Sequence, residues 1–466
     1  MSRAEAILYT LVVYKVVLVA IGLWATRRTQ DTGDFFLGGR QLGAWVAAIS
    51  ASASSSSAWT LVAVSGMAYL WGWPALWLFP ATLSGFLINW LWVAPRLMRA
   101  SRENGALTLT EFLAGPDPHD GWPRRVVILA SVVVLFSFTF YIAAQFQAAG
   151  NAFASAFELE MHTAVMIGAV VVLMYTLLGG FWAVSVTDTL QGLVMALTAL
   201  VLPLAAVIAA GGPGAVLATL AADGPSVGGP PTAGIAAVGF VLGTLGIGLG
   251  YPGQPHVVNR FMALRDPRAL RDGKIIAIAW AVIIYAGMLT VGLAARALYG
   301  GLLANEQVLF EVTTRLFAPV VSGIMIAAVL SAIMSTADSQ LLVAASSVSH
   351  DLPRRGRGSL RISRLVVAVI SLLAVVVAVL LPQTIFARVL FAWTALGAAF
   401  GPPLLVRLAG FELPPARVFT AMAVGFAGTV AFYWLPGTPG DWLERLVPFF
   451  ASLAVCATAA RRGQPA

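Results

Sequence analysis

The chain has 466 residues, of which 59% are hydrophobic and only 10% charged, against about 25% charged in an average soluble domain. With a mean hydropathy of +0.87, this composition excludes a soluble globular protein and describes a polytopic membrane protein. A net charge of +8 raises nucleic acid as a partner only until its placement is read, and a single cysteine with four histidines excludes a disulfide framework and leaves little for a zinc or haem site.

Apolar stretches long enough to cross a bilayer, about 20 residues each, fall at 7–26, 43–71, 73–95, 126–155, 159–179, 184–210, 233–261, 273–299, 316–349, 362–381, 384–407, 416–434 and 444–460. The pattern predicts an all-α protein of about thirteen transmembrane helices. The first stretch is too long, and lacks the small-residue cleavage site, for a signal peptide, and reads as an uncleaved helix. Between the stretches the basic residues alternate. Arg27, Arg28 and Arg40, then Arg96, Arg99, Arg102, Arg124 and Arg125, then Arg260, Arg265, Arg268, Arg271 and Lys274, collect on one side. Arg354, Arg355, Arg357, Arg361 and Arg364, then Arg407 and Arg417, and Arg461 and Arg462 in the tail, fall on the same side. Cytoplasmic loops collect Lys and Arg, so a multi-pass protein of the cell (inner or plasma) membrane is expected, N-terminus outside and C-terminus cytoplasmic. The positive charge is a topology signal; no nucleic acid and no obligatory protein partner are expected. Gly211–Pro231 reads as an external loop.

Polar residues inside a bilayer are costly and mark function, and three clusters stand out. Ser50–Ser57 packs six serines into eight residues of the second stretch. Serine competes for backbone hydrogen bonds, so a break there would free carbonyls around a cation or solute; a small-residue packing face would leave the same trace. Gly243–His256, in the seventh stretch, has five glycines and two prolines in fourteen residues and cannot be a regular helix. Gly248, Gly250, Pro252 and Gly253 are its hinge candidates. In the ninth stretch Ala332, Ser335, Thr336 and Ser339 share one helix face, with Asp338 at its edge. Oxygen ligands suit a hard cation; a packing face with Asp338 paired to an Arg is the alternative. Asp188, at the start of the sixth stretch, lies at a similar depth. The two acids could share a cation, since no Arg is read at that depth and Lys15 is the only buried base; alternatively Asp188 favours a helix N-terminus.

Two broken helices in corresponding positions point to an inverted-repeat transporter with its site between them. Helices two to six and seven to eleven make two units of five. The expected organisation is an extra N-terminal helix and loop (1–42), a first repeat (43–211), an external loop (212–232), a second, inverted repeat (233–409) and two C-terminal helices with a short tail (410–466). A serine hydrolase built on Ser54–Ser57 would need His256 as its base and lacks a nucleophile elbow, so no enzyme is expected.

At these clusters the chain resembles the sodium:solute symporter family, in particular its sodium/proline symporters. The likeness rests on Phe35–Gly43, Asn104–Phe112, Gly179–Gln191, Gly248–His256, Arg260–Met262, Met334–Leu342 and Gly397–Pro402. It implies the LeuT-type five-plus-five fold and secondary active symport of a small organic solute with Na+, a proton-coupled carrier using Asp188 or Asp338 being the alternative. By the resemblance, the main sodium site would use the carbonyls of Ala53, Ser56 and Ala332 and the hydroxyls of Ser335 and Thr336. A second sodium site, present in some members, would fall on Asp188, Ser335, Asp338 and Ser339. The substrate pocket would lie beside Ser55, Ser57, Ala58, Tyr141, Ile247 and Tyr251. Proline symporters have Asp where this chain has Ser55, Gly for Ala58, Trp for Ile247 and Phe for Pro252. An amino acid such as proline is the expected substrate, with other small amino or carboxylic acids behind it.

Overall fold

The structure, a computed structural model, describes residues 2–26, 37–115, 121–176, 181–222, 229–300, 304–353, 360–381, 383–435, 437–458 and 461–462. Phe35–Phe36, Gly179–Gly180, Arg27, Arg28, Arg354, Arg355 and Arg357 of the sequence reading lie outside the described residues. Nineteen helices are named here: α1 (Arg3–Thr26), α2 (Ala44–Ser55), α3 (Val64–Trp71), α4 (Leu78–Leu87), α5 (Ala94–Glu103), α6 (Leu109–Ala114), α7 (Gly121–Phe157), α8 (Met161–Thr176), α9 (Phe181–Ala209), α10 (Pro213–Ala222), α11 (Gly234–Gly246), α12 (Pro255–Met262), α13 (Pro267–Tyr299), α14 (Val308–Leu316), α15 (Pro319–Ser346), α16 (Leu360–Leu380), α17 (Ile385–Leu408), α18 (Pro415–Tyr433) and α19 (Trp442–Ala457). Phe411–Glu412 pairs antiparallel with Arg461–Arg462, a contact no helical pattern predicts. Among the described residues ten helical segments are long and apolar enough to span a membrane. The 43–71 stretch is divided between α2 and α3, and α8 and α19 have 16 residues each; these fall short of that length, so the ten are fewer than the expected thirteen.

The helices form one bundle with α15 and α17 at its centre, buried along most of their length, while α1 and α16 keep most of their apolar surface toward the surroundings. α1 lies against α15: Tyr14 hydrogen-bonds Ser331 and the Lys15 ammonium reaches Met334 Sδ at 2.7 Å.

Within the expected external loop at Gly211–Pro231 the structure forms a short helix, α10. Two glycines mark its start: Gly211 and Gly212 take φ of 90° and 95°, a backbone region that stops the preceding helix without steric cost. Pro213 then begins the new helix, where its missing N–H is no loss, and the Ala/Leu run that follows favours helix.

The basic residues at one end of the bundle also hold the chain. Arg40 donates to the carbonyls of Ser101 and Ala106, Arg102 to those of Leu264 and Arg265, and Arg407 to Phe112 O. At the same end Thr108 and Glu111 form a capping box: Thr108 Oγ1 accepts from Glu111 N and Glu111 Oε2 from Leu107 N. The other Glu111 oxygen meets His350 Nε2 at 2.9 Å, and Thr108 donates to Asp351. Burial pushes the Glu111 carboxyl up, but the His350 hydrogen bond and the Leu107 N–H outweigh it and hold it below the ordinary carboxylate range.

Candidate ion and substrate site

α2 stops where the serines crowd. Ser56 leaves helical geometry (φ −98°, ψ 66°), and Ser57 caps the restart, its Oγ accepting from Trp59 N at 3.1 Å. The second break is wider. After Gly246 the chain runs as a tight 3₁₀ segment over Ile247–Gly253, opens at Gln254 (φ −95°, ψ 100°), and resumes helix at Pro255. The carbonyls this frees are taken by side chains, as a low-dielectric interior demands. Trp393 Nε1 donates to Ile247 O, Asn89 Nδ2 to Tyr251 O, and Gln254 Nε2 to both Gly250 O and Trp393 O.

Glycine is required where this segment meets α17. A Cβ on Gly253 would fall 2.6 Å from Gly397 Cα and 2.7 Å from Leu396 O, and backbone cannot swing aside. Gly253→Ala is expected to cost about 1–3 kcal/mol, read as a lower melting temperature of the purified protein. An unchanged melting temperature would mean the two backbones are not in contact.

The face of α15 carrying Ala332, Ser335 and Thr336 packs on the broken end of α2. Ser335 Oγ donates to Ala53 O at 3.2 Å and lies 3.4 Å from Ala332 O; Thr336 Oγ1 donates to Ser54 O at 3.0 Å. Ala53, Ala332, Ser335 and Thr336 are thus brought together, with the Ser54 carbonyl added. The Ser56 hydroxyl is turned to Trp280 Nε1, 3.3 Å away. This is a nest of neutral oxygens at a helix break, suited to a small hard cation.

Beside it, Tyr141 OH donates to Ser57 Oγ and Ala58 N to Gln145 Oε1. Tyr251 OH meets Tyr285 OH at 3.0 Å, and Tyr285 OH meets Thr60 Oγ1 at 3.2 Å. Trp393 lies edge-on to Tyr251 with centroids 4.7 Å apart. Ser55, Ser57, Ala58, Tyr141, Ile247 and Tyr251 are all buried, none exposing more than 5% of its surface, so admission of a solute requires these helices to part. Ser55 donates back to its own helix at Ser52 O. Tyr285, Trp393, Gln145 and Asn89 were missed from sequence. The aromatics look like packing residues in apolar stretches; the buried amides were the signal that would have found them.

One premise behind the second ion set needs a correction. The sequence reading placed Arg260 in a cytoplasmic loop and found no Arg near the two acids. Arg260 instead lies on α12, 2% exposed, with Nη2 2.9 Å from Asp188 Oδ2 and 2.6 Å from Ser339 Oγ. Its Nε donates to Ser50 Oγ at 2.6 Å, Nη1 to His256 O, and its plane lies over Phe181. Ser50 and Ser54 also reach Asp188 Oδ2, at 2.7 and 3.2 Å. The charge was misassigned because α12 continues past the Gly/Pro break and carries Arg260 back into the bundle. Ser335 faces the main site, and buried Asp338 lies one turn from Met334, which Lys15 reaches. The His256 ring packs edge-on against Phe138 and Tyr141.

Two interrupted helices, an oxygen nest at one break and an aromatic, hydroxyl-lined region at the other define an ion-coupled membrane transporter with a central site. Residues 35–410 match the model of the sodium:solute symporter family, and the chain belongs to that family. Among similar proteins, the high-affinity proline transporter PutP of Bacillus subtilis (strain 168) is 33% identical over 450 residues, covering 93% of each chain. The sodium/proline symporter of Escherichia coli (strain K12) is 33% identical over 456 residues, covering 93% of this chain and 90% of its own. In three dimensions the chain is similar to a Na+-coupled sialic acid symporter solved in a substrate-bound outward-open state, with a TM-score of 0.80 at 15% identity, covering 98% of this chain and 99% of that one. It is also similar in fold to Mhp1, a nucleobase-cation-symport-1 family transporter, with a TM-score of 0.58.

Proposed function

We propose that this chain imports a small amino acid, proline first among candidates, driven by sodium entering through the nest of Ala53, Ser56, Ala332, Ser335 and Thr336. The observation that carries this is the meeting of Ser335 and Thr336 with the carbonyls at the α2 break, in a chain a third identical to proline transporters over nearly its whole length. Neutral oxygens hold a cation weakly enough to release it. A cation there would bind both α2 and α15 and so favour the arrangement in which the substrate region is formed, which couples the two affinities.

The same reading takes the chain as thirteen crossings, with α2 and α3 as one interrupted span, α8 and α19 as short ones, and two inverted units of five between α1 and the last two spans. The N-terminus is outside and the C-terminus cytoplasmic, by the distribution of Lys and Arg. The substrate lies beside Ser55, Ser57, Ala58, Tyr141, Ile247 and Tyr251. The test is uptake of labelled amino acids and carboxylates into proteoliposomes under a sodium gradient, a potassium gradient, and a pH gradient at fixed sodium. Sodium-driven accumulation of proline or a near relative is expected. Accumulation driven by the pH gradient without sodium would overturn the reading in favour of protons.

Ile247 replaces a tryptophan of the proline symporters, beside Trp393 and Tyr251. Ile247→Trp is expected to shrink the pocket and shift preference toward proline by about tenfold, the effect of a one- to two-methylene change in fit. Competition of the same solute panel against labelled proline reads it; an identical ranking in the two proteins would remove Ile247 from the pocket.

A further inference from the structure

We infer that the outer face between α7 and α16 binds one anionic phospholipid, an acyl chain lying in the groove between the two helices and the phosphate meeting arginines at its basic end. This goes beyond the sodium-coupled reading and does not depend on it. The groove encloses about 540 Å3 and is walled by Leu135, Phe136 and Phe140 of α7 and by Leu365, Val369 and Leu373 of α16. Among the described residues its only polar lining side chain, Thr139, donates back to Leu135 O at 2.8 Å, so the wall offers nothing to a polar solute. The α16 side chains remain exposed. From Leu365 to Val377 the groove runs about 18 Å at roughly 1.5 Å per residue, a little over half of a hydrocarbon core about 30 Å thick. That is the length of one acyl chain from one leaflet.

Where the two walls lead fixes the headgroup. On α16, Arg361 stands four residues before Leu365 and eight before Val369, on the groove face of the helix. On α7, Arg125, Ile128, Val132, Leu135 and Thr139 follow a three-and-four spacing, with Ile128 and Val132 exposed. Both apolar walls therefore run down to an arginine. Two contacts put these ends at one level: Arg124 Nη1 lies 3.4 Å from Asp351 O, and Ser363 donates to Ser349 Oγ at 3.0 Å. Arg125, Arg361 and Arg364 are exposed there, and the Arg125 guanidinium lies 4.5 Å over Trp122, a residue type that favours the membrane interface. Basic pockets between membrane helices attract anionic headgroups, and an acyl chain adds apolar burial with each methylene. A zwitterionic lipid would fill the groove equally but bring a cation of its own to the arginines.

Native mass spectrometry of the purified full-length protein, titrated in detergent with phosphatidylglycerol or with phosphatidylcholine of the same acyl chains, tests this. One phosphatidylglycerol per chain is expected to be held about tenfold to thirtyfold more tightly than phosphatidylcholine, the effect of two surface cations. Arg125→Gln/Arg361→Gln, at exposed positions, is expected to bring the two lipids level. Arg268→Gln/Arg271→Gln removes as much charge from the start of α13, outside the groove, and is expected to keep the preference. Val369→Trp, which fills the groove from an exposed position, is expected to expel both lipids. Equal retention of the two lipids by the unaltered protein overturns the inference. So does a preference that survives Arg125→Gln/Arg361→Gln, one lost as fully in the α13 variant, or lipid binding unchanged by Val369→Trp. Glycerol phosphate displacing the lipid at equal concentration would mean a phosphate site without an acyl chain, and overturns it as well.

Discussion

Asp188→Asn is expected to destabilise the protein by about 3–5 kcal/mol, the cost of leaving one member of a buried ion pair without its partner. Asp188 is fully buried and Arg260 nearly so. The asparagine keeps the shape and one acceptor oxygen but none of the charge, so the guanidinium is left uncompensated. The measurement is the midpoint of thermal unfolding in detergent, with the amount of protein reaching the membrane as a second readout. Arg260→Gln/Asp188→Asn is expected to recover most of the loss, because replacing both charges removes the desolvation cost along with the attraction. A single variant as stable as the parent would mean that the pair is not formed; a double variant no better than the single would mean that the hydrogen bonds, not the charges, hold the region.

The second large effect is on sodium. Thr336→Ala removes a hydroxyl that faces the carbonyls at the end of α2, and a lost partner to a charged group is worth about 1.5–3 kcal/mol. The sodium concentration for half-maximal uptake or binding is therefore expected to rise about tenfold to a hundredfold. Ser335→Ala is expected to act in the same direction, and Thr336→Ser to restore most of the affinity, since it returns the hydroxyl without the methyl. Unchanged sodium dependence in both alanine variants would remove this nest from the ion path. A loss in Thr336→Ala that Thr336→Ser does not repair would point to packing rather than ligation.

What was legible in the sequence was whatever violated its surroundings. Six serines in the middle of an apolar stretch, five glycines and two prolines in another, and a stripe of hydroxyls on a third are each expensive in a membrane; the structure packs the stripe on the serine break and the Gly/Pro segment on α17. The rest was hidden by two kinds of camouflage. Tyr285 and Trp393 sit in segments where aromatics are the expected filling, so nothing marks them as hydrogen-bonding groups that hold the interrupted helix. Arg260 was hidden by position. Three residues before Ala263 the chain already resembles the basic loop that follows, and an arginine there reads as a topology signal. Only the three-dimensional return of α12 toward Asp188 shows that its charge is spent inside. The helix at Pro213–Ala222 was obscured similarly, by the glycines and proline that crowd its N-terminal end.

The contact of Lys15 with Met334 also bears on how the protein is made. A lysine at the centre of a membrane helix raises the cost of inserting that helix by about 2.5–3.5 kcal/mol on translocon scales. Yet the methionine that Lys15 reaches lies 319 residues downstream. At synthesis rates of about 5–20 residues per second, α1 waits roughly 16–64 s before α15 exists to receive the ammonium. During that interval α9, against which α1 also packs, can already hold the helix, but the α15 contact of its lysine is not yet available. Completion of α15 is therefore the step at which the Lys15 ammonium can find the contact it makes in the folded bundle.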